Sequence, residues 1–373
     1  MKQDKIRVTV LFGGQSSEHE VSRLSAQCVL ENIDRQRFDI QMIGITKKGE
    51  WLRFDGDISL IGTGEWEEFA RRKLADSSYK GFNYEAPSCK DLVSFIDSEN
   101  QLCGVDVVFP VLHGPNGEDG SVQGLLQLAG VPYVGCDILS SAAGMDKEFS
   151  KLVFNNAGIP QAEYIKVMRY DIKNLLNFII EQVTEKIGWP CFVKPANAGS
   201  SVGVSKVKKP EDLEKALDNA ALYDTKILIE EYIDGRELEC AVLGNDNPKA
   251  STVGEIVPSN EFYDYNAKYL DGKSITIIPA DIEPRIMERI REYAVRAFKA
   301  LGCSGLSRVD FFLEKGTDRI ILNEINTMPG FTDISMYSKL WEASGISYKE
   351  LITELIELAF ERYEKTARSY ERK

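Results

Sequence analysis

Histidine is scarce in this sequence, with His19 and His113 the only two in 373 residues, so a histidine-built zinc site is disfavoured. Paired cysteines are missing too. The seven cysteines, at 28, 89, 103, 136, 191, 240 and 303, are odd in number and show no CxxC spacing. That pattern reads as buried thiols in a reducing compartment, not as a disulfide framework. No apolar run approaches the length needed to cross a bilayer, and Met1-Lys-Gln-Asp-Lys5 carries no apolar leader. A soluble, cytoplasmic protein without membrane contact is the expectation. Positive charge is not in excess either. A net charge of −13 argues against nucleic acid as a partner, yet leaves room for a local basic pocket that takes a nucleotide phosphate. Internal repeats and low-complexity segments are absent, and the length fits two or three packed domains.

What is present alternates in βαβ style at first. Ile6–Phe12 is a continuous apolar run, hence a buried strand. Ser17-Glu18-His19-Glu20 has the form of a capping box, followed by Val21, Leu24, Cys28 and Val29 at helical spacing. Strands over Asp39–Thr46 and Val105–Leu112, and a helix over Ser121–Ala129, complete a pattern that predicts a parallel sheet with helices on its faces. Residues 50–100 show weak periodicity and read as a variable insertion. From about Asp146 the style changes. A helix carrying Phe149, Leu152 and Val153 stops at Gly158-Ile159-Pro160. Strands follow at Cys191–Lys194 and Lys226–Glu231, with a helix from near Pro210 between them. Further strands are expected at Leu238–Leu243, Ser251–Ile256, Arg308–Leu313 and Arg319–Asn326. Pro284–Leu301 is an amphipathic helix with Ile286, Ile290, Tyr293, Ala297 and Leu301 on one face, and Tyr348–Tyr363 is the last helix. The fold class is therefore α/β followed by α+β, in several domains.

Three clusters carry candidate chemistry. Arg308-Val-Asp310 and Asn323-Glu-Ile-Asn326 lie on consecutive strands joined by a turn around Lys315-Gly316. Antiparallel pairing would set Asp310 beside Glu324 and Asn326, three hard oxygen donors suited to Mg²⁺ that also holds phosphate. Arg308 shares their face and could stabilise an anion. The plainer alternative is a polar strand end in solvent. Lys194-Pro-Ala-Asn-Ala-Gly-Ser-Ser-Val-Gly203 is a strand-end lysine followed by a small-residue loop whose amides could cradle phosphates. It is not a Walker A loop. Its Gly199-Ser-Ser-Val-Gly203 matches a nucleophile elbow, but both histidines precede the serine, so the hydrolase reading fails. Glu18 opens a helix after Gly13-Gly14, where it either complements the helix dipole or holds an ammonium. The nicotinamide fingerprint G-x-G-x-x-G is absent there. The aromatic-rich stretch from Glu261 to Tyr269 reads as a lid or binding loop, with a packed covering loop as the alternative.

Taken in order along the chain, these pieces resemble D-alanine–D-alanine ligases of the ATP-grasp superfamily. The matching segments are Leu11-Phe-Gly-Gly…Glu18-His-Glu-Val-Ser22, Leu112-His-Gly…Gly117-Glu-Asp-Gly120, Met145-Asp-Lys147, and Lys194-Pro…Gly199-Ser-Ser-Val-Gly203. To these are added Phe262-Tyr-Asp-Tyr…Lys268-Tyr269, Arg308-Val-Asp310 and Asn323-Glu-Ile-Asn-Thr-Met-Pro-Gly-Phe331. The resemblance implies an N-terminal parallel-sheet (pre-ATP-grasp) domain over 1–137, then two α+β lobes, 138–233 and 234–373, that clasp ATP, with a lid over 258–273. It implies ATP and two Mg²⁺ ions, with Mn²⁺ as a substitute, small D-amino acids as substrates, and a homodimer working in peptidoglycan synthesis. By the same resemblance Lys147, Lys194, Ser201 and Lys268 face the ATP phosphates, while Glu230, Ile233 and Glu237 face adenine and ribose. Asp310, Glu324 and Asn326 hold the metal. Glu18 holds the first substrate's ammonium in a set with Ser200 and Tyr269. Arg308 and the Gly330 amide form an oxyanion hole, Ser335 and the Met336 amide take the second substrate's carboxylate, and His113 lies near the substrates.

The Lys268-Tyr269 pair and Met336 resemble the D-alanine-adding branch. Asp333 and Ser338 depart from the family, which commonly has a small polar residue and Pro there. Ligases adding D-serine or, less so, D-lactate, and an ATP-binding regulator resembling synapsins, are the alternatives.

Overall fold

A computed structural model describes residues 5–75, 105–257 and 275–367. Its first sheet has the order β3-β2-β1-β4. Strand β1 (Ile6–Gly13) lies between β2 (Phe38–Ile45) and β4 (Val107–Pro110), parallel to both, while β3 (Trp51–Phe54) adds an antiparallel edge. The parallel expectation therefore holds for three strands. The weakly periodic stretch beyond residue 50 is in part regular. It forms β3 and the helices Ser59–Thr63 and Trp66–Ala75, and Trp66 packs edge-on against Phe12, 4.9 Å between ring centres. Short elements anchored by one large aromatic leave little periodicity to read. The rest of that stretch, 76–104, lies outside the described residues.

The capping box does not form. The helix starts at His19, and Glu18, at its N-cap, makes no side-chain capping bond. Ser17 is exposed, and Glu20 pairs with Lys47 at 2.5 Å. Glu18 turns its carboxylate away from the helix, as described below.

The middle of the chain forms a four-stranded antiparallel sheet, β5-β8-β6-β7, from β5 (Tyr164–Met168), β6 (Cys191–Pro195), β7 (Ser205–Val207) and β8 (Lys226–Glu231). Helices Ile172–Lys186 and Leu213–Ala220 cover it around a core of its own, including Val183, Val193, Leu217 and Ile227. The third sheet is β11-β10-β9-β12-β13, built from β9 (Gly235–Gly244), β10 (Lys249–Val257), β11 (Ile275–Ile277), β12 (Gly305–Glu314) and β13 (Ile320–Asn326). The helix Pro284–Leu301 packs on it through Ile286, Ile290, Ala294, Ala297, Phe298 and Leu301, each fully buried large side chain stabilising by about 1.5–3 kcal/mol. Tyr293, expected on this face, is only half-buried. Gly302 ends the helix in the left-handed conformation, φ 74°.

A fourth packing region joins the two ends of the chain. Val8, Val10, Phe12 and Phe109 of the first sheet share one core with Leu351, Ile352, Leu355 and Ile356 of the last helix, Tyr348–Lys365. No helix among the described residues is long and apolar enough to cross a membrane.

One helix face differs from expectation. In Lys147–Asn156, Phe149 and Leu152 are exposed, whereas Lys151 is 1% exposed and Phe154 fully buried. Phe149 instead lies under the Lys226 ammonium, 4.7 Å from its ring centre.

Candidate active site

A cleft of about 580 Å³ opens where the three sheets meet, within the range of small-molecule sites. Among its lining residues are Glu18 and His113 from the first unit, Lys194, Ser200 and Glu230 from the second, and Arg308, Asp310, Glu324, Asn326 and Ser335 from the third.

Its acidic wall follows from strand register. On β12 and β13, Asp310 faces Glu324 and Arg308 faces Asn326, with a bulge just after Asp310. Arg308 donates to Asp310 through Nε (2.7 Å) and Nη2 (2.8 Å), a bidentate pair, and Asn326 Nδ2 donates to Asp310 Oδ2 at 3.0 Å. Those bonds leave a lone pair on Asp310 Oδ1 and the carbonyl oxygen of Asn326, beside Glu324. Among the described residues no three His, Cys, Asp or Glu side chains cluster as a metal would need. Two carboxylates and an amide nonetheless fit Mg²⁺, which takes few protein oxygens and completes its shell with phosphate and water.

The cationic wall stands opposite. Lys147 Nζ donates to the Ala198 carbonyl at 2.7 Å and lies 3.7 Å from Glu324 Oε2, so it spans the small-residue loop and the acidic wall. Asp146 caps its helix, accepting from the Glu148 and Phe149 amides. Lys194, at the end of β6, reaches Glu230 Oε2 at 2.8 Å. In the loop that follows, Ser200 and Ser201 both adopt left-handed backbone, φ 50° and 58°, a conformation costly for non-glycine residues and concentrated at binding sites. Ser200 Oγ donates to Glu18 Oε1. Gly199 permits that approach, because a Cβ there would sit 2.6 Å from Glu18 Oε2.

Another part of the cleft lining combines apolar and acidic side chains. Ile233 is buried in a small cluster with Ala162 and Ile321, while Glu230 and Glu237 also line the cleft. At the other end, a Cβ on Gly330 would meet Ser335 Oγ at 2.8 Å. Ser335 precedes the helix Met336–Ala343, whose first amides point to the cleft end of that helix. Ser335 Oγ accepts the Thr332 amide at 3.0 Å, and the Met336 side chain is buried in the core. Ser338 donates to the Ser335 carbonyl at 3.2 Å, and Cys28 Sγ lies 3.3 Å from Asp333 Oδ1, so both departures from the family pattern have partners.

His113 lines the cleft, but both its nitrogens bond to protein. Nδ1–H donates to the Met328 carbonyl at 3.1 Å, so Nε2 accepts from the Ser25 hydroxyl at 3.0 Å, and Ser25 Oγ accepts the Phe331 amide at 3.1 Å. Burial, with the Arg308 charge adding to it against the Met328 bond, lowers its pKa to about 4, so the ring is neutral. It ties the 328–331 loop to the first helix.

The structure thus gathers Glu18, His113, Lys147, Lys194, Ser200, Ser201, Glu230, Ile233, Glu237, Arg308, Asp310, Glu324, Asn326, Gly330, Ser335 and Met336 around one cleft. Lys268 and Tyr269 lie outside the described residues. Two cleft groups, and a third residue buried beneath the cleft, escaped the sequence reading. Glu239 is buried with Oε2 2.9 Å from Arg308 Nε, and sits across from Asp310 on β9. Its place two residues after Glu237 was the available signal. Glu118 accepts the Gly114 amide at 2.7 Å; burial, then the Glu18 charge, push its pKa up to about 8. Lys151 lies beneath Glu230.

Comparison with known proteins agrees with this geometry. The family models for the D-ala D-ala ligase N-terminus and C-terminus match residues 7–136 and 153–357. D-alanine–D-alanine ligase of Ruminiclostridium cellulolyticum is 57% identical over 369 residues, 98% of each chain. Its counterpart in Acetivibrio thermocellus is also 57% identical, over 99% of each chain. Among solved structures, the D-Ala:D-Ser ligase VanG of Enterococcus faecalis has a TM-score of 0.80 at 40% identity, covering 95% of this chain and 100% of that one. The D-alanine–D-alanine ligase of Coxiella burnetii has the same TM-score at 34% identity, covering 97% and 96%. On both sequence and architecture, this chain belongs to the D-alanine–D-alanine ligase family, with the ATP-grasp fold.

Proposed function

We propose that this protein joins two D-alanines at the expense of ATP, releasing ADP and phosphate, to supply D-alanyl-D-alanine for peptidoglycan in the cytoplasm. The observation that supports this reading is the arrangement around one cleft of a carboxylate–hydroxyl pair, Glu18 and Ser200, suited to an ammonium, a lysine pair, Lys147 and Lys194, and an Arg308-bearing acidic wall. A nucleotide-binding regulator would need only the second of these. The first D-alanine's carboxylate attacks the γ-phosphate of ATP, giving an acyl phosphate and ADP. The second D-alanine's amine, once deprotonated, attacks the acyl carbon, and phosphate leaves the tetrahedral adduct. Carboxylates are poor electrophiles, so the phosphate supplies the leaving group, while Arg308 and the Gly330 amide stabilise the oxyanion. Lys147, Lys194 and the Ser201 loop hold the ATP phosphates, with Glu230, Ile233 and Glu237 around adenine and ribose. Asp310, Glu324 and Asn326 would hold two Mg²⁺ ions, replaceable by Mn²⁺, which when bound offset the charge of the triphosphate.

In this reading His113 acts through the 328–331 loop. Ser335 and the Met336 amide receive the second carboxylate at a helix N-terminus. Lys268 and Tyr269 keep their family roles, at the phosphates and beside Glu18. The division into 1–137, 138–233 and 234–373, the 258–273 lid and the homodimer belong to the same proposal. Both curated relatives described above are named for D-alanine as acceptor, which favours it over the D-serine of VanG and over D-lactate. The purified protein should release phosphate from ATP when D-alanine is added. Lack of stimulation, or equal stimulation by L-alanine, would overturn the assignment. Mass spectrometry of products from mixed D-alanine, D-serine and D-lactate decides the acceptor.

A further inference from the structure

One carboxylate of the cleft is flanked by two lysines, only one of which lines the cleft. Glu230 is 5% exposed, and a lysine stands at each of its carboxylate oxygens: Lys194 Nζ at 2.8 Å from Oε2, and Lys151 Nζ at 3.5 Å from Oε1, an ion pair without a hydrogen bond. The two lysines differ in kind. Lys194 ends β6 and lines the cleft. Lys151 projects from the inner face of the helix Lys147–Asn156, is 1% exposed, and has the Tyr164 ring 5.5 Å from its ammonium. Solvent cannot replace Glu230 as its counter-ion. An ammonium is seldom buried so fully unless a carboxylate depends on it.

We propose that Lys151 is a positioning residue for nucleotide binding, acting through Glu230. This rests on the reading of the cleft as an ATP site. Lys194 must share its charge with a phosphate when nucleotide enters, which weakens its hold on Glu230. Lys151 stays behind as the fixed counter-charge. It keeps Glu230 ionised and facing the nucleotide, and it prevents the carboxylate from drawing Lys194 back off the phosphate. On Glu230 burial pushes the pKa up, but Lys151 first and Lys194 next outweigh it and hold it below the ordinary glutamate range; on Lys151 burial pulls the pKa down against the pull of Glu230, so the geometry of the pair carries the account. Lys151 thereby sets nucleotide affinity without touching nucleotide or D-alanine.

The test compares the full-length wild type with Lys151→Met, Glu230→Gln and the double variant, using ADP binding by calorimetry and separate KM values for ATP and D-alanine. Lys151→Met should weaken ADP and raise KM for ATP by roughly 10–100-fold, the scale of one charge-assisted contact, with KM for D-alanine within about twofold. The double variant should be no worse than the poorer single, because both changes break one linkage. Lys151→Arg should recover part of the loss. If Lys151→Met does not fold, Lys151→Gln, which keeps a donor, carries the same comparison. Unchanged ADP affinity, an equal rise in both KM values, or fully additive losses would overturn the inference. A wild type that binds no ADP at all would overturn the ATP reading instead.

Discussion

Ser200 donates its hydroxyl hydrogen to Glu18 across 182 residues of sequence, joining the small-residue loop of the middle sheet to the first helix. The bond holds a buried carboxylate in the lining of the cleft, the group proposed to take the first substrate's ammonium. Ser200→Ala leaves Glu18 without that donor, at a cost of about 1–3 kcal/mol. The KM for the first D-alanine should rise roughly 10–100-fold, with ADP affinity within about threefold. Equal weakening of both ligands would refute the division of roles.

Glu324→Gln removes one charge from the acidic wall while keeping its shape. Turnover should become undetectable, and Mn²⁺ binding with ADP, followed by electron paramagnetic resonance, should weaken by at least about tenfold. A near-normal rate would refute the metal role.

Arg308 stands between two carboxylates, Asp310 at 2.7 Å and Glu239 at 2.9 Å from its Nε. Glu239→Gln removes one of these two charges, so the guanidinium draws harder on Asp310, where it would compete with the cation. The Mg²⁺ concentration giving half-maximal rate should rise about 3–10-fold, as loss of a buried ionic contact of ~1 kcal/mol or more predicts. An unchanged Mg²⁺ titration would refute the sharing.

Gly330→Ala places a methyl 2.8 Å from Ser335 Oγ, so the loop or the serine must move. If Gly330 faces the reacting carbon as proposed, a shift of this size should lower kcat about 100-fold while the melting temperature changes little. A large fall in melting temperature with kcat intact would reverse the interpretation.

His113 should make the protein acid-sensitive. The unfolded chain takes up a proton near pH 6.5, whereas the folded ring does so only near pH 4. Its contribution is therefore present above pH 6.5 and is lost as pH falls from there towards 4. Between pH 7.5 and 5 this group removes roughly 2 kcal/mol. Urea unfolding of His113→Asn should lose that much less stability than wild type over the same interval. Identical losses would show that the ring is not the sensor.

The sequence was most legible where spacing dictates contact. Period-two alternation on two consecutive strands predicted Asp310 opposite Glu324, and register put them there. It was least legible where tertiary partners override local pattern. Phe149 and Leu152 have helical spacing but face outward, because Lys151 and Phe154 take the inner face of their helix. A lysine is read as a surface residue until its counter-ion is known, and Glu230 lies 79 residues further along the chain. Glu18 likewise looked like part of a cap, but a partner in the loop after β6 bonds its carboxylate. The segments carrying β3 and its two helices are too short for periodicity, and Trp66 organises them through contact with Phe12.

The core shared by β1 and the helix Tyr348–Lys365 has a consequence for the order of folding. Val8, Val10 and Phe12 share it with Phe54 and Trp66 close by in sequence, but also with Leu351 and Ile352, more than 330 residues further along. Closing so long a loop costs ordering entropy before any contact repays it, so the docking of that helix should be a late step.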